Sequence, residues 1–151
     1  MNKILCLCFF LFAIVSESNA QTTEDSVKRV ISKMFIAMKA CDGKMLLDCF
    51  ADGAILQSIQ KNKSKMDTII TEPVGEFADY IGKQAKGDLD EQIRFDVVRI
   101  DGGLAIAWTP YRFYYKGAFS HCGVDSYQLV RLNGEWKIQY LIDTRRKDGC
   151  D

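Results

Sequence analysis

The chain has 151 residues, with 20 basic and 20 acidic side chains and a single histidine. A formal charge of zero without a basic stripe argues against nucleic-acid binding. One histidine and no CxxC spacing argue against zinc, and neither a metal nor a cofactor is expected.

Residues 1–20 read as an export signal. Lys3 supplies the positive start, Ile4 to Val15 is nearly all apolar, and Ser18-Asn19-Ala20 places small residues where a signal peptidase reads. The apolar run is too short to span a bilayer, so an exported, periplasmic or secreted chain without a membrane anchor is expected. Residues 21–151 then form a single domain of roughly 130 residues. Four cysteines remain in it, Cys41, Cys49, Cys122 and Cys150. An exported compartment permits disulfides, and the three possible pairings stay open.

Val27, Val30, Ile31, Met34, Phe35 and Met38 recur at helical spacing, with Thr22 and Asp25 as a capping start. Cys41-Asp42-Gly43 breaks this helix, and Lys44 to Phe50 reads as a short second one. Ala51-Asp52-Gly53 turns into a strand over Ala54 to Gln60, a lysine-rich solvated loop follows, and Met66 to Thr71 reads as another strand. A third helix spans Pro73 to Lys83. From Glu91 onward the pattern is a β-meander with turns at Asp101-Gly102, Lys116-Gly117 and Asn133-Gly134.

Those turns give registers, because a two-residue hairpin loop sets which residues oppose each other. Asn133-Gly134 opposes Leu129 to Ile138, Tyr127 to Tyr140, Asp125 to Ile142 and His121 to Arg146. Trp136, Ile138, Tyr140 and Ile142 form the apolar side, so Asp125 and His121 face the interior while Cys122, Asp143 and Arg145 face away. Asp101-Gly102 opposes Phe95 to Trp108 and Val97 to Ile106 on the same side. Lys116-Gly117 sets Trp108 opposite Asp125 and Arg112 opposite His121, with Pro110 as a candidate bulge. Tyr111, Phe113 and Tyr115 then lie outside, as a homodimer contact or the surface of a protein-interaction module.

The candidate ligand-binding residues are therefore Asp125, His121, Trp108, Arg112, Tyr127 and Tyr140, an aromatic pocket with a few polar handles. A carboxyl on an apolar face needs a reason. Asp125 reads either as a pocket acid or as a carboxylate satisfied by Trp108, Tyr127 or a helix amide. His121 lies four residues along the strand from it, roughly 13 Å between Cα atoms, too far for a His–Asp dyad.

Phe50-Ala51-Asp52-Gly53-Ala54 after the helical pair and Gly134-Glu135-Trp136-Lys137-Ile138 near the end resemble the NTF2-like (SnoaL-like) superfamily. His121-Cys122-Gly123-Val124-Asp125 further resembles small secreted members described as lumazine-binding. The resemblance implies an α+β cone, three N-terminal helices packed on a curved antiparallel sheet of five or six strands, commonly dimeric. For ketosteroid isomerase-like members it implies a base at the position of Ser58, a tyrosine at that of Met34 and a neutral acid at that of Asp125. Only Asp125 matches, so no catalytic set is expected and ligand binding is the leading reading. The alternative is a dehydratase or isomerase with His121 as base and Asp125 as acid.

Overall fold

A computed structural model describes residues 11–150, with side chains from Thr23 to Cys150. The elements are α1 Leu11–Ala40, α2 Gly43–Leu47, β1 Phe50–Lys61, β2 Asp67–Glu72, α3 Val74–Gly82, β3 Leu89–Ile93, β4 Val97–Asp101, β5 Leu104–Tyr115, β6 Ala118–Leu132 and β7 Glu135–Thr144. The first half of the expected export signal, residues 1–10, lies outside the described residues. Helix α1 runs unbroken through residue 22, so Thr22 is not a helix start. No helix among the described residues is long and apolar enough to cross a membrane.

The strands form one sheet in the order β2-β1-β7-β6-β5-β3, with β4 also pairing β5. It has seven strands, more than the five or six expected, and it is mixed because β1 runs parallel to β7. The apolar stripe of α1 (Val27, Ile31, Met34, Phe35 and Met38, each at most 8% exposed) packs on the concave face against Leu129, Ile138 and Leu141. Each such side chain contributes about 1.5–3 kcal/mol on burial. The short α2 is capped by Asp42, whose carboxylate accepts from the Met45 N–H at 2.9 Å. Gly53 sits at φ +70 inside β1, where the pairing with β7 slips between Phe50 and Ile55.

Two further bulges shape the meander. Asn133 and Gly134 adopt left-handed φ, as a tight hairpin requires, and Leu132 opposes Glu135. The ladder holds to Leu129 opposite Ile138 and then slips past Gln139, so Gln128 meets Tyr140, Tyr127 meets Leu141 and Asp125 meets Asp143. The Lys116-Gly117 hairpin also forms, but Ser120 is an extra residue on β6. Phe113 therefore opposes His121 and Thr109 opposes Asp125. Pro110 pairs in register with Val124, so the bulge lies at Ser120 and not at Pro110. The first turn lies at Gly102-Gly103, which sets Val97 opposite Trp108.

Each slip moves side chains to the other face of the sheet. Asp143 comes inside and Tyr140 goes out, where its hydroxyl donates to Gln57 Oε1 at 2.7 Å. On β5 the interior takes Ala105, Ala107, Thr109 and Tyr111, leaving Ile106 and Trp108 exposed at 44% and 46%. Cys122 and Cys150 form a disulfide that holds the C-terminal tail on the outer side of β6, while Cys41 and Cys49 are unpaired.

Candidate functional site

Four polar residues are buried in the sheet among the described residues: Ser58, Thr109, Asp125 and Asp143. The register makes them one cross-strand row, Thr109 on β5, Asp125 on β6, Asp143 on β7 and Ser58 on β1. Directly opposed side chains on one face lie about 5 Å apart at Cβ, close enough to bond along the row. The Thr109 hydroxyl donates to Asp125 Oδ2 at 3.0 Å, and the Ser58 hydroxyl donates to Asp143 Oδ1.

Asp143 is the better satisfied carboxylate. Its Oδ2 lies 2.8 Å from Arg145 Nε and 3.0 Å from the Tyr111 hydroxyl, which also reaches the Thr144 carbonyl at 2.9 Å. Tyr111 reaches there because Gly123 offers no side chain beneath its ring. Asp125 has fewer partners. Burial, with the Asp143 charge beside it, pushes its carboxyl up to about 8, which keeps it protonated at neutral pH. Burial and the Asp125 and Asp143 charges likewise hold the Glu91 carboxyl well above its ordinary range. The Tyr127 hydroxyl is fully buried beside Asp125 and Thr109, outside good hydrogen-bond geometry to either.

His121 sits one step toward the open end of the cone. Its Nδ1 lies 3.0 Å from Ser120 Oγ, and its ring packs on Phe113 and edge-on to Tyr111, with centroids 5.1 and 5.7 Å away. Burial, reinforced by the Arg145 charge, depresses its pKa, so the ring is neutral at physiological pH.

These groups line two adjoining chambers. The inner one, about 50 Å³, is enclosed by Met34, Phe35, Leu56 and Leu141 with Glu91, Tyr111, His121, Asp125, Asp143 and Arg145. The outer one, about 320 Å³, adds Tyr80, Ile81, Leu89 and Phe113, and shares Met38, Glu72, Phe77, Glu91, His121 and Arg145 with the first. The outer chamber falls in the size range of small-molecule sites, and the inner one admits a polar head group.

Of the residues expected at the site, Asp125 and His121 line the inner chamber, and Tyr127 is buried behind Asp125. Trp108, Arg112 and Tyr140 do not belong to it: the bulges at Ser120 and Gln139 turn their stretches over, and Arg112 bonds the Cys150 carbonyl instead. Asp143, Arg145, Tyr111 and Phe113, all expected outside, face inward for the same reason. No hydrogen bond joins His121 to Asp125 among the described residues, in keeping with their spacing. Glu91 was legible but missed, since Leu89, Glu91 and Ile93 alternate with a carboxyl on the apolar side. Ser58 supports Asp143, and Met34 contributes only apolar wall.

A long α1 laid across a curved mixed sheet, with a polar-floored cavity between them, is the NTF2-like α+β fold. Solved structures share it. An NTF2-like protein of unknown function from Shewanella baltica superposes with a TM-score of 0.66 at 15% identity, covering 84% of this chain and 96% of that one. An NTF2-like protein of unknown function from Silicibacter pomeroyi gives 0.65 at 14%, covering 84% and 98%. A domain of unknown function with a cystatin-like fold from Nostoc punctiforme gives 0.65 at 17%, covering 83% and 78%. No protein-family model matches the chain, and no curated protein does. At such identities the likeness is one of fold, and it does not extend to the narrower resemblance to lumazine-binding members.

Proposed function

We propose that this is an exported protein that holds a small, partly apolar or aromatic molecule in the cleft between sheet and helices. The observation that carries the reading is the row Thr109–Asp125–Asp143–Ser58, part of it on the floor of a cavity walled by apolar side chains and by Glu72, Glu91, His121 and Arg145. Closing that space with aliphatic side chains would satisfy an ordinary core, whereas polar groups facing a void are kept for something that enters. The disulfide between Cys122 and Cys150 supports the export reading, since such bonds persist in oxidising compartments.

Binding is favoured over turnover because the acid–base groups are poorly placed for proton abstraction. Asp143 has its oxygens committed to Ser58, Tyr111 and Arg145, and Asp125 stays protonated up to about pH 8. A dehydratase or isomerase would depend on His121 as base and Asp125 as acid. A thermal-shift screen of small aromatic and apolar compounds separates the readings. Hits are expected to lose their shift in His121→Ala and Asp125→Asn, with no compound consumed. Hits indifferent to both substitutions would sink the cavity reading, and consumption of a hit would establish the enzyme.

A second observation favours a homodimer. Leu104, Ile106 and Trp108 expose 44–48% of their surface in one row on the outer face of β5, and Ile55 and Ile69 lie exposed on β1 and β2. An exposed apolar row like that on β5 is unusual on a monomer and suits a self-complementary contact. Trp108→Asp is expected to halve the mass measured by light scattering. An unchanged mass would remove this surface from the assembly.

A further inference from the structure

Four carboxyl groups line the two chambers, Glu72, Glu91, Asp125 and Asp143, against one guanidinium. That guanidinium, Arg145, is already committed to Asp143 at 2.8 Å. The Glu91 side chain faces both chambers, and its carboxyl makes no hydrogen bond or ion pair with any described residue. Around Asp125 stand two hydroxyl donors, Thr109 at 3.0 Å and the fully buried Tyr127. Both hydroxyls favour the ionised form of Asp125. What Asp125 lacks is a cation of its own, since burial and the Asp143 charge oppose its ionisation and Arg145 is held by Asp143. The outer chamber offers the rings of Phe77, Tyr80 and Phe113.

We propose that the cleft selects a small organic ammonium ion on an apolar or aromatic body, its nitrogen between Glu91 and Asp125 and its body among Phe77, Tyr80 and Phe113. This rests on the ligand-binding reading and names the ligand's class. The ammonium N–H groups supply what the two carboxylates lack, and the ring faces attract the cation's charge. No group of three or more His, Cys, Asp and Glu among the described residues is placed to hold a metal ion, so an organic cation fits the donors better than an inorganic one. An organic acid would face unpaired carboxyl groups.

Binding ionises Glu91 and Asp125, so protons are released and affinity rises with pH. Burial, Asp143 and Arg145 act on both carboxyls, and the other titratable groups facing the chamber are Glu72, His121 and Tyr111, with Tyr127 behind Asp125 and Glu76 acting on Glu72. Calorimetric titration of the full chain with benzylammonium, benzyl alcohol and benzoate tests the proposal with probes of nearly one shape. Benzylammonium is expected to bind about tenfold more tightly than benzyl alcohol. Its affinity should be higher at about pH 8 than at about pH 6, because the Asp125 carboxyl holds its proton up to about 8 and must release it on binding. Glu91→Gln and Asp125→Asn should each erode the preference, weakening benzylammonium more than benzyl alcohol. Equal or tighter binding of benzyl alcohol or benzoate, or a preference unchanged in both variants, would overturn it. If such neutral or anionic probes bind and Asp125→Asn weakens them, ligand binding stands and the ammonium assignment falls. If no probe and no screened compound binds, both fall together.

Discussion

Asp125→Asn is expected to stabilise the fold in neutral and mildly alkaline solution and to do little in acid. The Asp125 carboxyl is raised from 3.8 in the open chain to about 8 in the fold, chiefly by burial and then by the Asp143 charge. Below the lower value both states are protonated and the group makes no difference. Between the two values folding takes up a proton, so stability falls steadily as pH rises, and above about 8 the full penalty is present. Ionising a carboxyl moved that far costs up to on the order of 5 kcal/mol, less whatever water entry and relaxation recover. Asparagine has the same shape, does not titrate and still offers an oxygen to the Thr109 and Tyr127 hydroxyls. Denaturant unfolding across the pH range should show wild type and variant converging near pH 4 and separating by several kcal/mol near pH 8. The variant retains part of the slope, because Glu91 is raised in the same direction. Parallel curves at all pH values would mean that Asp125 holds no buried proton.

Gly123→Ala should be the most damaging small substitution in the chain. An added Cβ would lie 1.7 Å from the Thr144 carbonyl oxygen and 2.7 Å from Tyr111 Cε1. Neither obstacle can step aside freely. Thr144 belongs to β7, and its neighbour Arg146 exchanges two backbone hydrogen bonds of 2.9 Å with Cys122. Displacing Tyr111 breaks its bond to Asp143 and leaves a buried hydroxyl to be satisfied elsewhere. The cost expected is about 4 kcal/mol or more, in the range reached only by severe overpacking. Gly75→Ala is the matched control, since nothing lies within 4 Å of its added Cβ and its φ is not left-handed. It should leave stability within about 1 kcal/mol. Equal melting temperatures for the two variants would show that β6 and β7 do not approach as described.

Both substitutions probe features that local patterning reveals unequally. The inward side of β6 was legible because no bulge interrupts the stretch from His121 to Leu129, so alternation alone carries His121 and Asp125 to the concave face. Asp143 was not legible. A polar residue in an apolar strand reads as solvent-facing, and nothing in the composition of Gln139 marks it as an extra residue. On β5 both faces are apolar, with Ala105 and Ala107 against Ile106 and Trp108, so hydrophobicity cannot choose between them. The helices decide: their bulk crosses the concave face closely, and the small side chains fit beneath.

The amino-acid sequence by itself determined the α+β class, the order of helices and strands, the Lys116-Gly117 and Asn133-Gly134 hairpins and the inward side of β6. Helical periodicity and turn chemistry are local properties that a few neighbouring residues express. Only the tertiary structure decided the mixed seven-stranded order, the Cys122–Cys150 pairing among three possibilities, and the convergence of Ser58, Glu91, Thr109, Asp143 and Arg145 around Asp125. Those depend on which strands meet and on two single-residue slips, at Ser120 and Gln139. A slip of one residue reverses every side chain beyond it, and the packing of partners distant in sequence selects where it falls.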